Sequence, residues 1–252
     1  MWRSTRMIVL TAISAALYAA ILIPFKLVPI IPGVTEFRPA NAVPIVCSFL
    51  FGPAGAWGAG FGNLIAEFFG GLGPGDLFGF LANLAYGFVP YAVWGAVTDA
   101  PPTSRTVGGT VALLGVIALA SLLCATIVGW GLNWLGFHPF TLLAPLALAN
   151  NLVSASVLAP LLLRVLYPRV AKARLLYRDI LPPRPAPSRA RRALGLALVV
   201  GATPAAFLSG LLIASGRWHP AWAVLHSASG GAEIGLGLLP ILGLVALGCA
   251  LL

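Results

Sequence analysis

Long apolar runs, cut at intervals by Pro, Gly and a few charged residues, make up most of the chain. They cover residues 7–24, 39–51, 54–70, 77–97, 107–135, 141–166, 193–215 and 232–252. A helix needs roughly 20 apolar residues to cross the hydrocarbon of a bilayer, and most of these runs reach that length. The run at 39–51 is shorter. Between the first two runs lies KLVPIIPGVTEFRPAN, which is rich in Pro and Gly. GGLGPGD separates the third run from the fourth, and TDAPPTSRT the fourth from the fifth. The pattern predicts an all-α polytopic membrane helix bundle: a six-helix core over 1–168, a basic linker over 169–192, and a two-helix hairpin over 193–252.

Composition agrees with this reading. Only 8% of residues are charged and 60% are hydrophobic, with a mean hydropathy of +0.98. Soluble domains are about 25% charged, so lipid must solvate much of this surface. The net charge of +9 would suit nucleic acid, but its placement points elsewhere. Of 15 basic residues, nine fall in one stretch: Arg164, Arg169, Lys172, Arg174, Arg178, Arg184, Arg189, Arg191 and Arg192. Lys and Arg beside spans mark the cytoplasmic side and attract anionic lipid headgroups. With six crossings before the linker and two after, both termini, Arg105 and the linker are cytoplasmic. Lys26, Glu36, Arg38, Asp76, His138, Arg217, His219 and His226 then lie outside. The expected location is the cell membrane, multi-pass, with no nucleic-acid partner. Arg3 and Arg6 precede the first run as in a signal peptide, but no small-residue cleavage pattern follows, so the run is read as a retained helix. Cys47, Cys124 and Cys249 sit singly in apolar runs and predict neither disulfide nor zinc site.

No phosphate-binding loop, HExxH or GxSxG occurs, and the three His residues are scattered. The sequence thus predicts no catalytic residues, metal or cofactor. The chemistry lies in the polar side chains inside spans, where ionisable groups are costly and mark function. Glu67 follows Asn63 by four residues, on one helix face. Asn83 and Tyr86 lie one to two turns below Asp76. Asn41 lies one turn from Arg38, and Asn150 and Asn151 about two turns into the sixth run. Arg38, Asn41, Asn63, Glu67, Asn83, Tyr86 and Asn150 thus share a depth on the outer side, as a ligand pocket with apolar walls and few polar groups requires. The alternative is structural: interhelical hydrogen bonds among the Asn residues and an Arg38–Glu67 ion pair. Ala12, Ala16 and Ala20 recur every four residues, with Ala15 and Ala19 beside them, a face that lets another helix approach closely.

The stretch 35–94, TEFRPANAVPIVCSFLFGPAGAWGAGFGNLIAEFFGGLGPGDLFGFLANLAYGFVPYAVW, resembles the substrate-binding S components of energy-coupling factor (ECF) vitamin transporters. It is most like the queuosine-precursor transporter group. The likeness covers about residues 7–166. It implies a six-helix unit that captures a small micronutrient and works with a coupling membrane subunit and two ATPase subunits. It also implies that the Ala-rich face, Ala12, Ala16 and Ala20 or Ala15 and Ala19, meets the coupling subunit, and that residues 26–37 form a gating loop. The last two runs depart from that unit. Two other readings stay open: a self-sufficient permease with Glu67 as proton-coupling site, and a membrane-embedded enzyme or scaffold.

Overall fold

The computed structural model describes residues 1–25, 29–31, 35–36, 38–182, 187–224 and 230–252. Most of the expected gating loop and His226 lie outside the described residues. The bundle is helical: α1 (Thr5–Phe25), α2 (Ala42–Phe51), α3 (Pro53–Glu67), α4 (Asp76–Val97), α5 (Val107–Trp134), α6 (Phe140–Lys172), α7 (Tyr177–Ile180), α8 (Arg189–Ala214), α9 (Ala221–Val224) and α10 (Gly230–Leu251). Between α1 and α2, strands β1 (Pro29–Ile31) and β2 (Thr35–Glu36) pair antiparallel, and a 3-10 turn over Pro39–Asn41 leads into α2. Neither the strands nor the one-turn helices α7 and α9 belong to the sequence expectation.

Six described helices are long and apolar enough to cross a membrane: α1, α4, α5, α6, α8 and α10. Helices α2 and α3, expected as crossings, have 10 and 15 residues and fall short of that length. Helix α2 lies in the middle of the bundle, whereas α3 keeps Phe61 and Ile65 exposed on its outer face. Every α2 residue but Val43 is buried, because α1, α3, α4 and α6 surround it. Gly52 turns the chain from α2 into α3 with φ +53°, a left-handed conformation that costs Gly little. The Tyr177 ring lies so close that a Cβ at Gly52 would sit 2.6 Å from it.

Helix α1 packs along α3. The contact is tight enough that a Cβ at Gly62 would sit 2.7 Å from the Ala15 carbonyl oxygen. Ala15 and Ala19 are buried in this seam, while Ala12, Ala16 and Ala20 are exposed. Of the two stripes proposed to meet a partner, Ala15 and Ala19 are thus occupied within the chain. The stripe Ala12, Ala16, Ala20 is free, flanked by exposed Ile13, Leu17 and Ile21.

Local chemistry sets the helix ends. The Thr106 hydroxyl accepts the Gly109 N–H and the Ser188 hydroxyl the Arg191 N–H, so each caps a helix start. Asp76 Oδ2 accepts from the Gly73 N–H at 2.7 Å and closes the Gly-rich turn before α4. Helix α6 carries Pro145, Pro160 and Pro168 without ending; neighbouring helices and local adjustment make good such losses in membrane bundles.

The pair α8 and α10 packs together and leans on α5. Trp130 Nε1 of α5 donates to the Gly235 carbonyl at 2.9 Å. The basic end is tied by its own contacts. Arg164 donates to the Ser104 carbonyl, Arg178 pairs with Asp99 at 3.4 Å, and Arg191 donates to the Ala250 carbonyl. The expected linker is more structured than its composition suggests. Helix α6 continues to Lys172, and α7 folds back so that Tyr177 meets Tyr91 edge-on.

Candidate functional site

Tyr18 is the hub of the polar interior. It stands on the α1 face that also carries Thr11 and Ser14, whose hydroxyls bond back to the carbonyls of Met7 and Leu10. Tyr18 reaches furthest across the bundle from that face. Its hydroxyl lies 3.0 Å from Asn41 Oδ1 and 2.9 Å from Asn83 Oδ1, donating its one proton to one amide at a time. The Asn41 amide nitrogen donates to Asn151 Oδ1, and Asn83 Nδ2 donates to the Gly79 carbonyl at 2.9 Å. One connected network therefore joins α1, the 3-10 turn, α4 and α6. Tyr18 is 1% exposed and Asn41, Asn83 and Asn151 at most 6%.

A charged layer lies beside this network. Arg38 Nη2 stands 4.0 Å from Glu67 Oε1, with the two side chains 25% and 18% exposed. The Arg38 backbone N–H donates to Asn150 Oδ1 at 3.2 Å. The ion pair weighed from the sequence is present, at the long edge of the range. Such partly exposed pairs contribute about 0–1 kcal/mol.

Other polar groups nearby are not spent. Asn63 is buried, its amide beside Gly79, and its Oδ1 has no hydrogen-bond partner among the described residues. The Ser154 hydroxyl is likewise buried and unpartnered there, and the buried hydroxyls of Tyr86 and Ser121 face each other without a well-formed hydrogen bond to any described residue. An unmet buried group costs about 1–3 kcal/mol. A bundle that keeps several close to a satisfied network holds hydrogen-bonding capacity in reserve.

The sequence-chosen residues therefore fall into one neighbourhood in three roles. Asn41 and Asn83 are in the network, Arg38, Glu67 and Asn150 form the charged layer, and Asn63 and Tyr86 are unspent. Tyr18, Ser121 and Ser154 were not among them. Tyr18 had a signal in the sequence: Thr11, Ser14 and Tyr18 recur at spacings of three and four, a polar stripe along an otherwise apolar helix. Ser121 and Ser154 are single small hydroxyls in long runs and carry none. Among the described residues no group of three or more His, Cys, Asp or Glu could hold a metal ion.

No curated protein and no solved structure matches the chain. A family model for the QueT transporter matches residues 8–168, which span α1 to most of α6 and include every residue of the polar neighbourhood. A multi-pass membrane bundle with that match over more than half its length is a transporter that binds a small-molecule substrate, and the chain belongs to the QueT transporter family.

Proposed function

We propose that the chain is the substrate-capture subunit of an ATP-driven, ECF-type importer. It binds a small vitamin- or nucleobase-like ligand from the outer side at the Tyr18 neighbourhood, and a separate coupling membrane subunit and two ATPase subunits supply the energy. The observation that carries this reading is the convergence of polar side chains from α1, α3, α4, α5, α6 and the 3-10 turn in one region of an apolar bundle. Fixed amides with unspent hydroxyls and one acid–base pair suit a flat ligand with several donors and acceptors. The cytoplasmic side is the end carrying Arg3, Arg105, Arg164 and Arg178, which places both termini inside and Arg38 and Glu67 outside. In this arrangement residues 1–168 are the capture unit, 169–192 the cytoplasmic connection and 193–252 an appended membrane hairpin.

Two further features support the division of labour. The chain has no nucleotide-binding motif, so ATP must be hydrolysed by another subunit. The exposed stripe Ala12, Ala16, Ala20 is a lipid-facing surface on which a second helix can pack closely. A permease using Glu67 for proton coupling is less well served, because Arg38 already stands beside that carboxylate.

The test measures binding in detergent together with copurification. Glu67→Gln and Asn83→Ala are expected to weaken ligand binding about tenfold, the effect of one lost polar contact at roughly 1.4 kcal/mol, while the protein still elutes as a folded species. Wild-type affinity in both variants would remove the pocket assignment. Ala16→Trp is expected to keep binding and lose the coupling subunit. Proton-driven uptake by this chain alone in liposomes would favour the permease instead.

A further inference from the structure

The C-terminal end of α6 carries charge that the rest of the fold leaves unused. Residues 98–192 hold ten basic residues against two acids, Asp99 and Asp179. Asp99 is taken by Arg178, and Asp179 forms no ion pair among the described residues. Arg164 donates to the Ser104 carbonyl and Arg191 to that of Ala250. Arg169, Lys172 and Arg174 are exposed, and their side chains have no hydrogen-bond or ion-pair partner among the described residues.

These three cations are not needed to cap the helix. The carbonyls of Arg169, Val170 and Ala171 accept the backbone N–H groups of Ala173, Leu175 and Arg174, so the backbone closes the last turn by itself. Arg174 has φ +53°, a left-handed conformation that suits Gly and strains a residue with a Cβ. The chain nevertheless holds a cation there. The face leading to this end is equally distinctive. Val153, Val157, Leu161 and Val165 follow one another every four residues along α6 and are 48–61% exposed, so they form one outward ridge. Arg169 takes the next step of that ridge, and Lys172 lies one turn beyond. With 33 residues, α6 is about 50 Å long, against a hydrocarbon thickness of about 30 Å. The change from Val165 to Arg169 therefore marks where the helix leaves the hydrocarbon.

We propose that the end of α6 binds an anionic phospholipid. Arg169, Lys172 and Arg174 hold the phosphate, and an acyl chain lies along Val157, Leu161 and Val165. Ridge and cations come in the order in which a phospholipid presents its chain and its headgroup. Net negative charge is selected because a zwitterionic headgroup brings its own cation, which the three basic side chains repel. A free phosphate would engage the cations but gain nothing from the ridge. The cations lie beyond residue 168, outside the family match, so the site does not depend on the transport reading.

The test is native mass spectrometry of the full-length protein in detergent, titrated with phosphatidylglycerol or phosphatidylcholine. Phosphatidylglycerol should be retained in preference. One cation near the surface favours an anionic lipid about fivefold, so the double variant Arg169→Gln, Lys172→Gln should cut that preference about tenfold or more. The double variant Arg3→Gln, Arg6→Gln removes equal charge from exposed positions elsewhere and should leave it unchanged. Arg174→Gly keeps the test decisive if the first variant folds poorly. It should weaken the preference about fivefold without lowering the melting temperature in phosphatidylcholine nanodiscs, since Gly accepts the left-handed turn. Four outcomes overturn the proposal: equal retention of both lipids, equal loss in the two double variants, displacement of the lipid by millimolar inorganic phosphate, or lipid retention kept in the first variant while a copurifying protein is lost. The last would give this face to a protein partner.

Discussion

The α1–α6 bundle and the α8–α10 pair both combine apolar helices with a few polar groups, but they place those groups differently. In the first, the deep groups are neutral amides and hydroxyls knotted through Tyr18, and the charges of Arg38 and Glu67 stay at the margin. In the second, the hydroxyl of Thr203 is buried in the middle of α8, while the ionisable groups sit at the helix ends, with His219 58% exposed. The difference follows the cost of burial. A neutral amide can be satisfied by another amide anywhere in the bundle, whereas a charge in hydrocarbon needs water or a counter-ion close by. The deep polar contacts are therefore made by neutral groups, and charge is kept where solvent reaches.

Gly62→Val should break the comparison most strongly. Its side chain would meet the α1 backbone, and overpacking of this kind costs about 1–3 kcal/mol. We expect a clear drop in the melting temperature of the purified protein. Gly201→Ala on α8, which opens on free space, should leave it unchanged. A similar loss in both would mean that α1–α3 closeness is not special to the core. Next in size, Tyr18→Phe removes the hydroxyl shared by two buried amides and should cost about 1–2 kcal/mol. An unaltered unfolding curve would show that the amides find one another without it. Smallest, Trp130→Phe deletes the N–H that ties α5 to Gly235, worth about 1 kcal/mol. It should raise hydrogen exchange in α10 while leaving the exchange of α4 as in the parent protein. Equal increases in both would make the two regions one cooperative unit.

Much of this organisation was legible in the residues. The runs at 7–24, 77–97, 107–135, 141–166, 193–215 and 232–252 each correspond to a long helix, because twenty apolar residues in water-free surroundings have few other options. The central placement of α2 was not legible. A short apolar run looks the same whether lipid or protein surrounds it, since both are hydrocarbon. The Asn and Glu residues stood out by their rarity, whereas Tyr18 showed only through its spacing from Thr11 and Ser14, since aromatics also serve as membrane anchors. The two Ala stripes of α1 lie side by side on one helix, and composition could not say which one met α3. The strap around Tyr177 was obscured by its Pro- and Arg-rich surroundings, which resemble a solvated linker.

The enclosure of α2 bears on how the protein is made. Its walls come from α1, α3 and α4, and from α6, whose sequence begins only at Phe140. During synthesis α2 must therefore wait, shielded by lipid or by the insertion machinery, until most of the unit has emerged. The polar knot at its mouth cannot close before then, because Asn41 finds Asn151 only when the sixth helix arrives. A chain stopped after α5 would leave α2 with an open flank and Asn41 without its Asn151 partner.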